Sequence, residues 1–189
     1  DDYRNEASTY GYIVEIDPYD SSTLATKRTA LGRFRHEGCA PGLPVPGKPL
    51  VWYMGDDSNN EYVYKWVSSA VWDAADANPA DRLATGAKYL DRGKLYVARF
   101  NADGTGVWLL LDVTTPTTGG GTLGALYGDL PGILLNTRGA GDAVGATPMD
   151  RPEWTTVNPL NGDVYLTLTN NSARTPEKAD AANPRGPCL

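Results

Sequence analysis

Two runs of strand-forming residues, Lys94-Leu95-Tyr96-Val97-Ala98-Arg99-Phe100 and Thr105-Gly106-Val107-Trp108-Leu109-Leu110-Leu111, are separated by Asn101-Ala102-Asp103-Gly104. Asp-Gly tolerates the positive φ that a tight reversal needs, so the pattern predicts a β-hairpin. The same signal recurs. Leu50-Val51-Trp52-Tyr53-Met54 and Tyr62-Val63-Tyr64-Lys65-Trp66-Val67 flank Gly55-Asp56-Asp57-Ser58-Asn59-Asn60-Glu61, which reads as a second hairpin with an acidic tip. Trp154-Thr155-Thr156-Val157 and Val164-Tyr165-Leu166-Thr167-Leu168, joined by Asn158-Pro159-Leu160-Asn161-Gly162-Asp163, make a third.

Between these hairpins the chain reads mostly as loop. A short strand is expected within Tyr10–Pro18, ended by Asp17-Pro18. Residues 21–30 are polar, and Leu31–Gly38 alternates large apolar with basic side chains as a strand would. Residues 40–49 and 115–124 are rich in Pro, Gly or Thr and are expected to be loops. A helical turn is expected within 80–90, and Ile133-Leu134-Leu135 suggests a helix ending in the glycines 139, 141 and 145. From residue 172 onward the chain is polar and reads as a loop or tail. Repeated hairpins with long connections and little helix predict an all-β fold, a β-propeller or part of one, with residues 1–189 as a single domain or propeller segment.

Gly 21 and Pro 14 in 189 residues, with Tyr and Trp far outnumbering Phe, agree with strands and turns. The formal net charge of −6 argues against a nucleic-acid backbone as partner and suits bound cations. No apolar run approaches the length of a membrane-spanning helix. Cys39, Cys188 and the single histidine, His36, match no zinc spacing, and two cysteines fix no disulfide. The start, Asp1-Asp2-Tyr3-Arg4, reads as the middle of something, as expected of a processed product or a fragment.

Thr147-Pro148-Met149-Asp150-Arg151-Pro152-Glu153 sets an acid and an arginine between two prolines and adds a second acid. Prolines restrict the backbone on both sides, which suits a binding loop, although charged surface loops have the same composition. Carboxylates also stand at Glu37 and in the cluster Asp56, Asp57 and Glu61. Glu37 and Glu153 form the best metal-binding pair, because each lies beside a basic or titratable side chain and a small or conformationally fixed neighbour. Carboxylate-bound metal next to an arginine suits phosphate ester hydrolysis. Asp56-Asp57-Ser58-Asn59-Asn60 reads as an Asx-turn tip sooner than as a metal loop and fails the EF-hand spacing, and Asn171 is either a turn residue or an amide-oxygen donor to calcium.

Four blocks, Gly32–Gly38, Val51–Asp57 with Glu61–Val67, Leu95–Phe100, and Gly145–Glu153 ending at Leu168-Thr169-Asn170-Asn171, resemble in order the PhoX-type alkaline phosphatases. The resemblance runs over most of residues 10–174. It implies a secreted or periplasmic β-propeller, exported through the twin-arginine route, that hydrolyses phosphate monoesters with iron and calcium. It further implies Glu37 and Glu153 as metal ligands and Arg151 as the phosphate-binding residue, with Asp56 or Asp57, Asp150 and Asn171 in calcium or supporting roles. Members of the family are several times longer, and their iron site takes a cysteine from a region upstream of this chain, a role not given to Cys39. The remaining segments of the same propeller are therefore expected partners. A non-catalytic calcium-binding propeller module and a lactonase-like calcium-dependent propeller hydrolase are the alternatives.

Overall fold

The computed structural model of the chain describes residues 6–173. At its centre lies a five-stranded antiparallel sheet built from β3 (Ala40–Pro41), β4 (Pro49–Gly55), β6 (Val63–Val71), β7 (Gly93–Phe100) and β8 (Gly106–Leu110), in that spatial order. Alternation along these strands sends Met54, Tyr64, Trp66, Leu95 and Val97 to one face, where they form the core with Leu31, Phe34 and Leu111. Each such side chain contributes about 1.5–3 kcal/mol by leaving water. Tyr53, Lys65, Tyr96 and Leu110 form a cross-strand row on the other face. Lys65 Nζ lies 5.2 Å from the Tyr96 ring centroid and 4.6 Å from that of Trp108, a cation-π arrangement that tolerates a half-buried ammonium.

The Asp103-Gly104 reversal joins β7 to β8 as expected, and β4 pairs with β6 in the second expected hairpin. The tip of that hairpin is itself structured. It forms β5 (Asn59–Glu61), which leaves its own hairpin to pair with β9 (Met149–Asp150). The third hairpin is β10 (Pro152–Val157) with β11 (Val164–Leu168).

Three expectations are corrected. The fold is mostly antiparallel β rather than all-β, and the described residues form no closed ring of blades. Helix α1 (Arg82–Leu90) lies where a helical turn was expected; α2 (Leu123–Tyr127) begins in the stretch 115–124 expected to be a loop, and α3 (Leu130–Leu135) and α4 (Thr137–Val144) divide the stretch 129–145 where a single helix ending in glycines was expected. Their starts were written in the sequence. Asp81, Thr122 and Asp129 each accept a hydrogen bond from a backbone amide three residues on, satisfying a donor that a helix start leaves free. Gly139 and Gly141 fall inside α4, and Gly145 caps it.

The second correction concerns Leu31–Gly38. Its alternation does not produce a strand: a 3-10 turn, Thr29–Leu31, is followed by irregular chain with one isolated bridge, His36 to Asp56. Gly32, at φ 86, ends any extended run. Third, the polar stretch 21–30 contains β2 (Thr26–Arg28), which pairs with β1 (Ile13–Glu15). Arg28 is buried there, bonded to Glu15, Asp91 and Leu83 O, so its charge is not left unpaired in a polar strand. Of the expected tail, Ser172 and Ala173 form a turn, and 174–189, with Cys188, lie outside the described residues. No helix among the described residues is long and apolar enough to cross a membrane.

Candidate anion site

Asp150 and Arg151 are neighbours in sequence and end in different surroundings. Asp150 sits in β9, opposite Asn59, and is buried. Its Oδ1 accepts from Asn171 Nδ2 at 2.8 Å, and the same amide nitrogen donates to Asn60 Oδ1 at 2.9 Å. The chain then passes through Arg151 at φ 47. A left-handed conformation is unusual for a residue before proline, which favours extended backbone, and its cost is met by the flanking strands. The prolines thus do not hold both residues in extended geometry. The turn at Arg151 points its side chain away from Asp150.

The Arg151 guanidinium meets two carboxylates. Its Nη2 donates to Asp57 Oδ2 at 3.0 Å, its Nε faces Asp57 Oδ1 at 2.9 Å outside hydrogen-bond angle, and Nη2 stands 3.4 Å from Glu153 Oε1. Thr169 Oγ1 donates to the same Glu153 oxygen at 2.7 Å. Glu37, exposed at the edge of the group, adds to the negative field on the arginine. The arginine is held firmly protonated, first by the Asp57 bond and then by the charges of Asp57, Glu153 and Glu37.

Backbone contacts bring these residues together from distant parts of the chain. Glu37 N donates to Gly55 O at 3.3 Å, so the Glu37 segment follows the end of β4. On its other side, a Cβ placed on Gly38 would lie 3.3 Å from Trp154 Cα and Thr155 N, which shows how closely that segment runs along β10. Thr155 Oγ1 donates to Tyr53 O at 2.8 Å and fastens β10 to β4. The pairing of β5 with β9, which sets Asn59 opposite Asp150, brings the Asp57 side chain within reach of Arg151.

Asp56 and Asp57 point to opposite sides, as successive residues of extended chain do. Asp56 is fully buried and accepts a two-pronged bond from Arg138 of α4, Nε to Oδ2 at 2.7 Å and Nη2 to Oδ1 at 2.5 Å. Burial raises its pKa while Arg138 and the Arg35 amide lower it. Glu61 stands 3.6 Å from Arg138 Nε, and burial together with the neighbouring Asp56 pushes its carboxyl up to about 7. His36, stacked on Phe34 and bonded through Nε2 to Gly32 O, is held neutral by burial, its pKa brought down to about 4. Burial likewise pushes the Cys39 thiol up to about 12, which makes it a poor metal ligand here.

Beside Arg151 opens a polar cleft of about 420 Å³, lined by Arg35, Asp57, Ser58, Asn59, Arg151, Asn170 and Ser172. Two arginines at one cleft suit an anion. The carboxylates of Glu37, Asp57 and Glu153 are hard oxygen donors of the kind calcium and ferric iron prefer, and together they outweigh the charge of Arg151. Among the described residues no three His, Cys, Asp or Glu side chains converge closely enough to hold an ion, so by chemistry these carboxylates suit a metal only together with ligands from elsewhere.

Of the expected site residues, Glu37, Asp57, Arg151 and Glu153 come together, while Asp150 and Asn171 pair with each other behind them. Arg138, Arg35 and Thr169 belong to the arrangement and were not anticipated. Arg138 stands among small residues in α4, where nothing local marks it.

A mainly antiparallel β scaffold thus presents an arginine clamped by carboxylates at the wall of a polar cleft. The family described as alkaline phosphatase PhoX matches residues 1–187, and the chain belongs to it. It is similar to the structure of Pseudomonas fluorescens PhoX in complex with vanadate, a transition state analogue, with a TM-score of 0.79 and 40% sequence identity. That similarity covers 96% of this chain and 31% of the other, so the chain spans about a third of that relative's length. No curated protein sequence matches the chain significantly.

Proposed function

We propose that this chain supplies the phosphate-binding arginine and two metal-binding glutamates of a metal-dependent phosphate monoester hydrolase of the PhoX type, acting outside the cytoplasm and completed by further segments of the same propeller. The observation that carries this reading is the setting of Arg151, gripped by Asp57 and Glu153 with Glu37 alongside, at the wall of the polar cleft. Family membership and the vanadate bound by the relative support it.

Arg151 would bind the phosphoryl group. Its contacts with Asp57 and Glu153 fall on Nε and Nη2, which among the described residues leaves Nη1 for an incoming oxygen. A guanidinium fixed by two carboxylates loses little freedom on binding, and its charge is in place before charge develops on the phosphoryl oxygens. Arg35, at the same cleft, adds a second positive charge that draws the anion in. Glu37 and Glu153 would hold iron and calcium, which supply polarisation of phosphoryl oxygens and an activated oxygen nucleophile when bound. Asp150 and Asn171 would keep β9 and the Asn170 wall of the cleft in place, or serve calcium through their oxygens.

The test is metal and anion binding by the chain joined to the propeller segments that complete it, together with turnover of a chromogenic phosphate ester. Iron and calcium retained after loading and lost in Glu153→Gln, with vanadate binding lost in Arg151→Ala, are the expected results. A completed protein that binds neither metal nor vanadate would sink the reading. Secretion of the native protein into the periplasm or medium is the expected location, and recovery only from the cytoplasm would count against it.

A further inference from the structure

The segment that carries Glu37 has no sheet to hold it. From Gly32 to Cys39 it makes one isolated bridge, so its amides must find partners elsewhere. Arg33 N bonds to Leu134 O and to Thr137 Oγ1, each at 3.0 Å; Phe34 N bonds to Gly11 O at 2.9 Å; Glu37 N reaches Gly55 O. Arg35 N is different. It donates to a charged side chain, Asp56 Oδ1, at 3.2 Å.

Asp56 is therefore a junction. Its carboxylate holds the amide two residues before Glu37, and its backbone continues directly into Asp57, whose own amide bonds back to Arg35 O at 3.0 Å. The orientation of that carboxylate is set by Arg138, 82 residues away on α4, which engages both oxygens and donates to Ser58 Oγ at 3.0 Å. We propose that Arg138 is a positioning residue: its two-pronged bond to Asp56 holds the Glu37 and Asp57 segments in register around Arg151. The relevance to phosphate rests on the reading of Arg151 given above; the positioning of Asp57 against Arg151 does not.

A lysine at 138 would keep the charge and lose the fork, because an ammonium is a point donor where a guanidinium presents paired N–H groups. The register would then loosen although the buried Asp56 remained neutralised. A purely structural role predicts otherwise, since any change that restores charge balance would then restore the site.

Two readouts in the full chain decide between these. The first is the water exchange rate of the Arg151 guanidinium Nη–H protons, which include the donor to Asp57 Oδ2, followed by nitrogen-15 NMR and assigned by their absence from Arg151→Lys. The second is the Kd for orthovanadate. In Arg138→Lys we expect exchange to accelerate about ten-fold or more and vanadate to weaken by about the same factor. Should that variant fail to fold, the charge-neutral pair Asp56→Asn with Arg138→Met serves instead, with the same losses expected despite restored melting temperature. Wild-type exchange and wild-type vanadate affinity in either folded variant would overturn the proposal. If the wild-type chain binds no vanadate even when joined to the completing segments, the phosphate reading fails, and the exchange rate alone judges the positioning role.

Discussion

Gly55 ends β4 directly against the backbone of Glu153: a Cβ built on Gly55 would stand 2.3 Å from Glu153 O and 2.6 Å from Pro152 O. Two chain segments meet there with no room for a side chain. Gly55→Ala must push β10 away, and with it the Glu153 carboxylate and the turn at Arg151. The cost of forcing atoms into packed backbone is about 3 kcal/mol. Urea unfolding should report this loss, and vanadate binding should weaken in the fraction that remains folded.

Arg151→Lys keeps a positive charge and removes the planar fork that lies against Asp57 and Glu153. The side chain is partly exposed, so stability should change by less than about 1 kcal/mol. Vanadate affinity, measured by calorimetry, should fall about ten-fold or more. A variant that binds vanadate as well as the wild type would remove Arg151 from the binding role.

Glu61 gives a pH dependence with a definite sign. Its carboxyl is raised from 4.5 to about 7 in the folded chain, so the folded state favours the protonated form. The stability this group contributes is fully present below 4.5 and is lost as pH rises through about 7. Glu61→Gln stays neutral throughout. The variant should match the wild type near about pH 5 and exceed it by up to about 3 kcal/mol near about pH 8. Denaturant unfolding at the two pH values checks this, and an advantage confined to low pH would contradict the assignment.

Tyr64 is fully buried, and its hydroxyl has no hydrogen-bond partner among the described residues. Its ring is well placed, stacked on Phe34 with centroids 4.2 Å apart. Tyr64→Phe keeps the ring and removes the stranded oxygen. It should be neutral or stabilising by about 1 kcal/mol in thermal or urea unfolding. A loss of more than about 1 kcal/mol would show that the hydroxyl is satisfied by an ordered water.

The hairpins could be read from the sequence because their signals are local. Asp103-Gly104 needs only its own φ preferences and the strand formers on either side to reverse the chain, and Trp154–Val157 with Val164–Leu168 pair for the same reason. Helix starts at Asp81, Thr122 and Asp129 are equally local, but short apolar runs between glycines left α2, α3 and α4 hard to separate. The alternation of Leu31–Gly38 misled because a period of two marks a strand only where another strand accepts it. Here the amides were taken by Gly11, Leu134, Thr137 and Asp56 instead.

The residue types of the site, Glu37, Asp57, Arg151 and Glu153, were decided by the sequence, since carboxylates and an arginine beside prolines carry their chemistry with them. Which of them meet was decided only by the tertiary structure. The pairing of β5 with β9, the left-handed turn at Arg151 and the close contact of Gly55 with β10 bring Asp57 to Arg151 across 94 residues. Arg138 belongs to the same lesson. Its bond to Asp56 depends on α4 packing against the core sheet, a contact between distant segments that no local pattern encodes.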